Sequence, residues 1–210
     1  MSKTKVEMFW DAGSTNTYFA LKLIKPILEK HNAELVLHPY NVGYVFRNNS
    51  YELMKEPKAK LRNRKADLMR WAAKYNLPFQ IPRQFPIKSS RILRGSVAMR
   101  QKNLELPFVE RVFDAYWEDG NPDVAEYEGL RPIVAAMGVD TDWFEATAAS
   151  DETAAEVARS TDMGTERGVF GVPSIFVEKE MFWGKDRMEF VDDELVRIAA
   201  RAPQGGEQPA

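Results

Sequence analysis

Strand-forming segments lie near the two ends of this chain of 210 residues, with a long helical stretch between them. Alternating apolar and β-branched residues predict four short strands, over 5–10, 34–40, 173–177 and 180–183. A predicted amphipathic helix over 17–30 separates the first two strands, and a connection of that length favours a parallel pair. The last two strands are predicted to form a hairpin through Glu178 and Lys179, followed by a final helix over 191–201.

Helical periodicity dominates the middle of the chain. It predicts helices over about 58–75, 92–103, 108–118, 124–137, 142–149 and 152–167. We therefore expect residues 1–45 and 168–202 to form one discontinuous α/β layer, and residues 46–167 to form an all-helical insertion. The segment 203–210 is rich in Pro, Gly and Gln, a composition that predicts a disordered tail.

Composition excludes several classes of function. Cysteine is absent, which rules out structural disulfides, a cysteine nucleophile and a redox pair of cysteines. Two histidines cannot build a three-histidine metal centre, and no metal site is predicted. A net charge of −2 argues against general binding of nucleic acid, and no apolar run is long enough to span a membrane. The polar segment Met1–Val6 lacks a signal-peptide core, so we expect a cytoplasmic location.

Three segments carry a family resemblance over nearly the whole chain, from about residue 6 to residue 198. They are Trp10–Ala20, Asp67–Trp71 with Leu77–Pro78, and Val169–Val177 followed by Met181–Arg187. In this order the chain resembles the kappa-class glutathione transferase and 2-hydroxychromene-2-carboxylate isomerase family. The resemblance implies an α/β thioredoxin-like, DsbA-like fold with a large all-helical insertion. It also implies glutathione as cofactor, a small electrophilic substrate and a homodimer.

Ser14 is the candidate catalytic residue. It stands where the first strand turns into a helix, at a helix N-terminus with unpaired N–H donors and a partial positive charge. These features lower the pKa of a thiol, and a chain without cysteine needs a ligand to supply that thiol. The resemblance implies that glutathione does so and that the Ser14 hydroxyl donates a hydrogen bond to its thiolate. The alternative is that Ser14 only caps the helix.

Val172 and Pro173 are the first candidate contacts of glutathione. The resemblance implies a cis peptide bond between them, which would leave the Val172 backbone open to pair with the cysteinyl backbone of the ligand. From composition alone, an ordinary proline at the start of a strand is the simpler interpretation.

The second candidate contact is the turn formed by Trp183, Gly184, Lys185 and Asp186. Asp186 would pair with the γ-glutamyl ammonium group, and Lys185 would bind the adjacent carboxylate through its backbone or side chain. A solvated run of surface charges is the alternative. Lys60 matches a family lysine and is predicted to face the glycyl carboxylate or an anionic substrate, unless it is simply one charge of a basic helix.

Positions that contact substrate in the resembled isomerases differ here. The family asparagine corresponds to Met54, the tyrosine to Phe85, and the nearest cation to the family lysine is Arg47. The usual Ser-Pro is Ser14-Thr15, and Gly13 replaces the preceding leucine. The positions expected to contact glutathione are thus largely kept, while those expected to contact substrate change.

The resulting prediction is a glutathione-dependent isomerase of the 2-hydroxychromene-2-carboxylate isomerase type, acting in aromatic catabolism on an aromatic or unsaturated electrophile. A kappa-like transferase that conjugates its substrate needs the same activated thiolate, so it remains an alternative. The substituted substrate positions leave a non-catalytic thioredoxin-fold ligand-binding protein as a further alternative. A disulfide oxidoreductase is disfavoured by the absence of cysteine.

Overall fold

A computed structural model describes residues 3–52 and 55–201 of the chain. Its strands are β1 (Lys5–Trp10), β2 (Glu34–Pro39), β3 (Ser174–Val177) and β4 (Glu180–Trp183). Its longer helices are α1 (Thr15–Lys30), α2 (Val42–Asn48), α3 (Lys58–Tyr75), α4 (Ser90–Arg100), α5 (Glu105–Trp117), α6 (Tyr127–Ala136), α7 (Thr141–Ala149), α8 (Asp151–Glu166) and α9 (Met188–Arg201).

The four strands form one mixed sheet in the order β2-β1-β3-β4. β1 and β2 are parallel with Met8 opposite Leu37, as the helical crossover predicts. β3 runs antiparallel to β1, and β4 is antiparallel to β3 as the predicted hairpin requires. The chain thus returns to the sheet after a long excursion and places β3 beside the first strand.

Both faces of the central strands are buried, and alternation divides their side chains between two apolar clusters. Val6, Met8 and Trp10 of β1 face the larger cluster, and Phe9 faces the smaller one. On β3, Ile175 and Val177 join the larger cluster, while Phe176 joins the smaller one. This two-sided burial fixes the register, since a slip by one residue would exchange the two faces.

Between β2 and β3, residues 40–173 contain no strand among the positions that the structure describes, so the chain there is built from helices and loops. Their apolar side chains continue the larger cluster of the sheet layer; Trp10 of β1, for example, packs on Phe113 of α5 with ring centroids 5.8 Å apart. The predicted fold class, a thioredoxin-like α/β fold with a helical insertion, is confirmed. The division into two domains remains an interpretation.

Helix boundaries differ from expectation in several places, and α4 and α5 both lie up to three residues earlier than predicted. Helix α2 was not predicted because its seven residues are too short to show periodicity. The single helix expected over 124–137 is wrong: a 3₁₀ turn over Pro122–Ala125 precedes α6, with Glu126 extended between them. Asn121 caps that turn and Pro122 occupies its first position, so the helix start signal applies to the turn. Helix α9 begins at Met188, earlier than predicted.

Two sequence predictions fall on positions outside the described residues. They are the substrate-binding role of Met54 and the disordered tail over 203–210. Among the described helices, none combines the length and the apolar character needed to cross a bilayer.

Candidate active site

Ser14 caps helix α1, and its hydroxyl group joins the helix to the loop before β3. The Ser14 Oγ accepts a hydrogen bond from the Thr17 backbone N–H at 3.2 Å. The same hydroxyl donates to the Val172 carbonyl oxygen at 3.1 Å. The first turn of α1 contains no acidic side chain that would offset the positive end of the helix dipole. The capping role is therefore present, and the second hydrogen bond goes beyond capping.

The loop that faces Ser14 contains the predicted cis peptide bond between Val172 and Pro173. The Pro173 carbonyl oxygen accepts a hydrogen bond of 3.0 Å from the Gly184 N–H. Gly184 has a φ of 107°, a conformation that favours glycine. Through these contacts the N-terminus of α1, the proline loop and the turn after β4 meet at one end of the central strands.

Trp183 forms one exposed wall of this region. Its side chain is 47% exposed and lies against Phe170, which is 55% exposed, with ring centroids 5.0 Å apart. A Cβ atom on Gly171 would lie 2.9 Å from the indole nitrogen, so glycine permits this close approach. Two aromatic rings are thus available to solvent beside the proline loop. Phe170 was not among the predicted site residues.

Lys185 and Asp186 have different environments although they are adjacent. Lys185 is only 8% exposed, and its Nζ lies 4.5 Å from the Trp71 ring centroid and 3.7 Å from Asp67 Oδ2. Its side chain therefore ties the turn to helix α3, and its predicted contact with a ligand carboxylate remains a prediction. Asp186 is exposed and pairs with Arg187 at 2.6 Å. Its carboxylate is accessible to a ligand ammonium group in exchange for that pair.

Lys60 lies in the first half of α3 and forms an ion pair with a residue four positions earlier in the chain. Its side chain is 62% exposed and donates to Glu56 at 2.8 Å. Together with Tyr51 and Arg64, Lys60 holds the pKa of Glu56 at about 2. This arrangement agrees with the simpler interpretation of Lys60 as one charge of a basic helix. Its predicted contact with glutathione or substrate remains a prediction.

The two described substrate candidates also occupy different settings. Arg47 lies at the exposed end of α2. Phe85 is half-buried, and its ring packs on Trp117 with centroids 5.8 Å apart. The Phe85-Pro86 peptide is a second cis bond, which was not predicted. The packing of Phe85 on a core tryptophan gives it a structural role, and a contact with substrate remains a prediction.

Asp11 belongs to the same turn but was missed at the sequence level. It is 1% exposed, and its carboxylate accepts the Gly13 N–H at 2.8 Å and the Val42 N–H at 3.1 Å. Burial raises the pKa of Asp11, and hydrogen bonds from Gly13, Ser89 and Val42 partly oppose that rise. The available signal was an acidic residue placed directly between an apolar strand and a turn.

A family model described as a DSBA-like thioredoxin domain matches residues 5–196. The chain belongs to this family. The matched range runs from the start of β1 into α9, so it includes all four strands and the turn of Ser14.

Three similar proteins share one name, 2-hydroxychromene-2-carboxylate isomerase. The chain is 26% identical over 198 residues to a 2-hydroxychromene-2-carboxylate isomerase from Sphingobium xenophagum, covering 93% of this chain and 100% of the relative. It is 35% identical over 152 residues to an enzyme of that name from Pseudomonas sp. (strain C18), covering 70% of this chain and 66% of the relative. A solved structure of a 2-hydroxychromene-2-carboxylate isomerase superposes with a TM-score of 0.83 at 26% identity, covering 94% of this chain and 97% of that chain.

Proposed function

We propose that this protein is a glutathione-dependent isomerase of the 2-hydroxychromene-2-carboxylate isomerase type. The observation that carries the proposal is the placement of the Ser14 hydroxyl at the N-terminus of α1, 3.1 Å from the carbonyl of Val172. The related enzymes supply the reaction class, since they are named for this isomerisation. We propose the activity, the cofactor and the residue roles together, because each depends on glutathione binding at Ser14.

The donor and acceptor groups of Ser14, the proline loop and the turn after β4 fit glutathione. The Val172 carbonyl lies beside a helix N-terminus, so an extended cysteinyl group can pair with the loop while its sulfur faces the positive helix end. Asp186 is exposed and suits an ammonium group, and the backbone N–H of Lys185 suits a carboxylate. When bound, glutathione supplies a thiolate that adds to an electrophilic carbon and leaves after bond rotation.

Ser14 has a hydrogen-bonding choice that such binding would change. In the structure its hydroxyl donates to Val172, whose carbonyl is an acceptor that a ligand N–H can satisfy instead. The Ser14 hydroxyl is then free to donate to the sulfur while its oxygen still accepts the Thr17 N–H. Ser14 and the helix end together would lower the pKa of the glutathione thiol, so that the thiol is deprotonated at neutral pH.

Aromatic side chains support a flat, unsaturated substrate. Trp183 and Phe170 present exposed ring faces next to the proline loop, and stacking on such faces favours an aromatic ring. Lys60 and Arg47 would supply positive charge for a carboxylate group on that substrate. The proposal includes action in the cytoplasm, where glutathione is kept reduced, and assembly as a homodimer.

The test is the rate of isomerisation of 2-hydroxychromene-2-carboxylate with and without glutathione. The matched control replaces glutathione by its analogue in which the cysteine is an α-aminobutyrate, so that the shape is kept and the thiol is lost. We expect turnover with glutathione and none with the analogue, although both bind. Formation of a stable glutathione conjugate would instead identify a transferase. Binding without any turnover of this or other electrophiles would identify a ligand-binding protein.

A further inference from the structure

Asp11 is the most buried acidic side chain of the described chain, and it lies three positions before Ser14. Its main-chain carbonyl accepts the Ser14 N–H at 3.1 Å, and its Oδ1 accepts the Gly13 N–H at 2.8 Å. Asp11 therefore holds the turn with its backbone and its side chain together. Two consecutive N–H groups that lead into the helix start depend on this one residue.

The other side of the carboxylate reaches separate parts of the fold. Its Oδ2 accepts the Val42 N–H at the start of α2, and the Ser89 hydroxyl, just before α4, acts on the same carboxyl group by lowering its pKa. Asp11 thus links the turn to two helices that follow it in the chain. A change at this carboxylate will shift the turn, because the closely packed surroundings leave the side chain little room to move by itself.

No charged side chain among the described residues neutralises this carboxylate. The groups that face it from the turn, α2 and α4 are the N–H groups of Gly13 and Val42 and the hydroxyl of Ser89, and all three are neutral. An unpaired acid is costly to bury, and a core position behind a turn does not need one for packing. Its presence here points to a role that an apolar residue cannot fill, namely accepting backbone N–H groups.

We propose that Asp11 is a positioning residue that holds the turn of Ser14 in the geometry in which this turn stabilises the bound thiolate. This inference rests on the proposed function, since it presupposes that glutathione binds at Ser14. Asp11 acts through Gly13 and Ser14 and does not itself touch the ligand. The two backbone hydrogen bonds of its side chain are the means by which it acts.

Asp11→Asn tests this role because an amide has only one acceptor oxygen. Its NH₂ group cannot accept a hydrogen bond, so either the Gly13 or the Val42 N–H loses its hydrogen bond to this side chain in any orientation. The readout is the pKa of the glutathione thiol in the complex, followed by thiolate ultraviolet absorbance. We expect this pKa to rise by up to about one unit, as partial loss of one charge-assisted hydrogen bond requires.

The opposite sign would overturn the inference. Removal of a negative charge near a thiolate, with the turn unmoved, lowers the thiol pKa. A lower or unchanged thiol pKa in Asp11→Asn therefore rejects positioning. If the wild type itself binds no glutathione or shows no thiolate, the proposed function fails, which is a distinct result.

Two neighbouring variants keep the test decisive if Asp11→Asn does not fold. Gly13→Ala places a Cβ atom 3.3 Å from Asp11 Oδ1, and Gly13 is not among the positions with positive φ. It should displace the carboxylate and raise the thiol pKa in the same direction. Ser89→Ala removes a neutral donor and leaves both backbone bonds, so it should leave the thiol pKa within about 0.3 units of wild type. Equal effects of these two variants would contradict the inference.

Discussion

Replacement of Ser14 by alanine has a structural effect on stability and a chemical effect on turnover, and the two can be measured separately. The variant loses the acceptor for the Thr17 N–H and the donor to Val172. Loss of a capping side chain costs about 1 kcal/mol of unfolding free energy. Loss of a preorganised donor to a developing or resting anion lowers turnover by about 10² to 10³.

Ser150→Ala is the matched control for the structural effect. Ser150 caps α8 and accepts the Thr153 N–H at 3.2 Å, the same distance as the capping bond of Ser14. It has no contact with the proline loop among its described hydrogen bonds. Both variants should lose about 1 kcal/mol in urea denaturation, and only Ser14→Ala should lose turnover.

The assay is steady-state isomerisation at saturating glutathione, measured beside the urea curves of both variants. A catalytic Ser14 predicts a large fall in kcat for Ser14→Ala and an unchanged kcat for Ser150→Ala. Equal stability losses with kcat within about twofold of wild type in both variants would refute the reasoning, because they would leave Ser14 as a cap alone.

Three further predictions concern the turn after β4 and Asp11. Asp186→Ala should weaken glutathione binding by about 10- to 100-fold in calorimetry, since a charge-assisted contact is lost; unchanged affinity would exclude the assigned role. Lys185→Met should cost about 1 kcal/mol in urea denaturation through the lost Trp71 contact, and full stability would contradict that contact. Burial raises the pKa of Asp11, so its protonated form stabilises the fold below about pH 4, and this contribution should decline as pH rises through the raised value. The unfolding free energy of the wild type, measured relative to that of Asp11→Asn, should therefore fall as pH rises from about 4 through the raised pKa of Asp11. A free-energy difference that stays constant with pH would contradict this prediction.

Local signals in the sequence were sufficient for much of the fold. Strand alternation and helix caps depend on residues a few positions apart, so Ser14 could be predicted as a capping candidate, and it accepts the Thr17 backbone N–H. The resemblance supplied the cis bond before Pro173, which the structure contains. Both kinds of signal are contained in short stretches of chain.

Long-range packing explains what could not be predicted. Lys185 stands in a charged run that favours exposure, yet it is buried and its Nζ lies over the ring of Trp71, a residue on a separate helix. Asp11 is stabilised by Val42 and Ser89, and neither contact leaves a periodic or spacing signal.

The pKa of the glutathione thiol in the complex tests the central claim most directly. The measurement is an ultraviolet titration of thiolate absorbance with wild type and with Ser14→Ala, using protein without ligand as the blank. The account predicts a thiol pKa below ~8.5 in the wild-type complex and a clear rise towards that value in Ser14→Ala. The same thiol pKa in both complexes would contradict it, because Ser14 would then contribute nothing to thiolate formation.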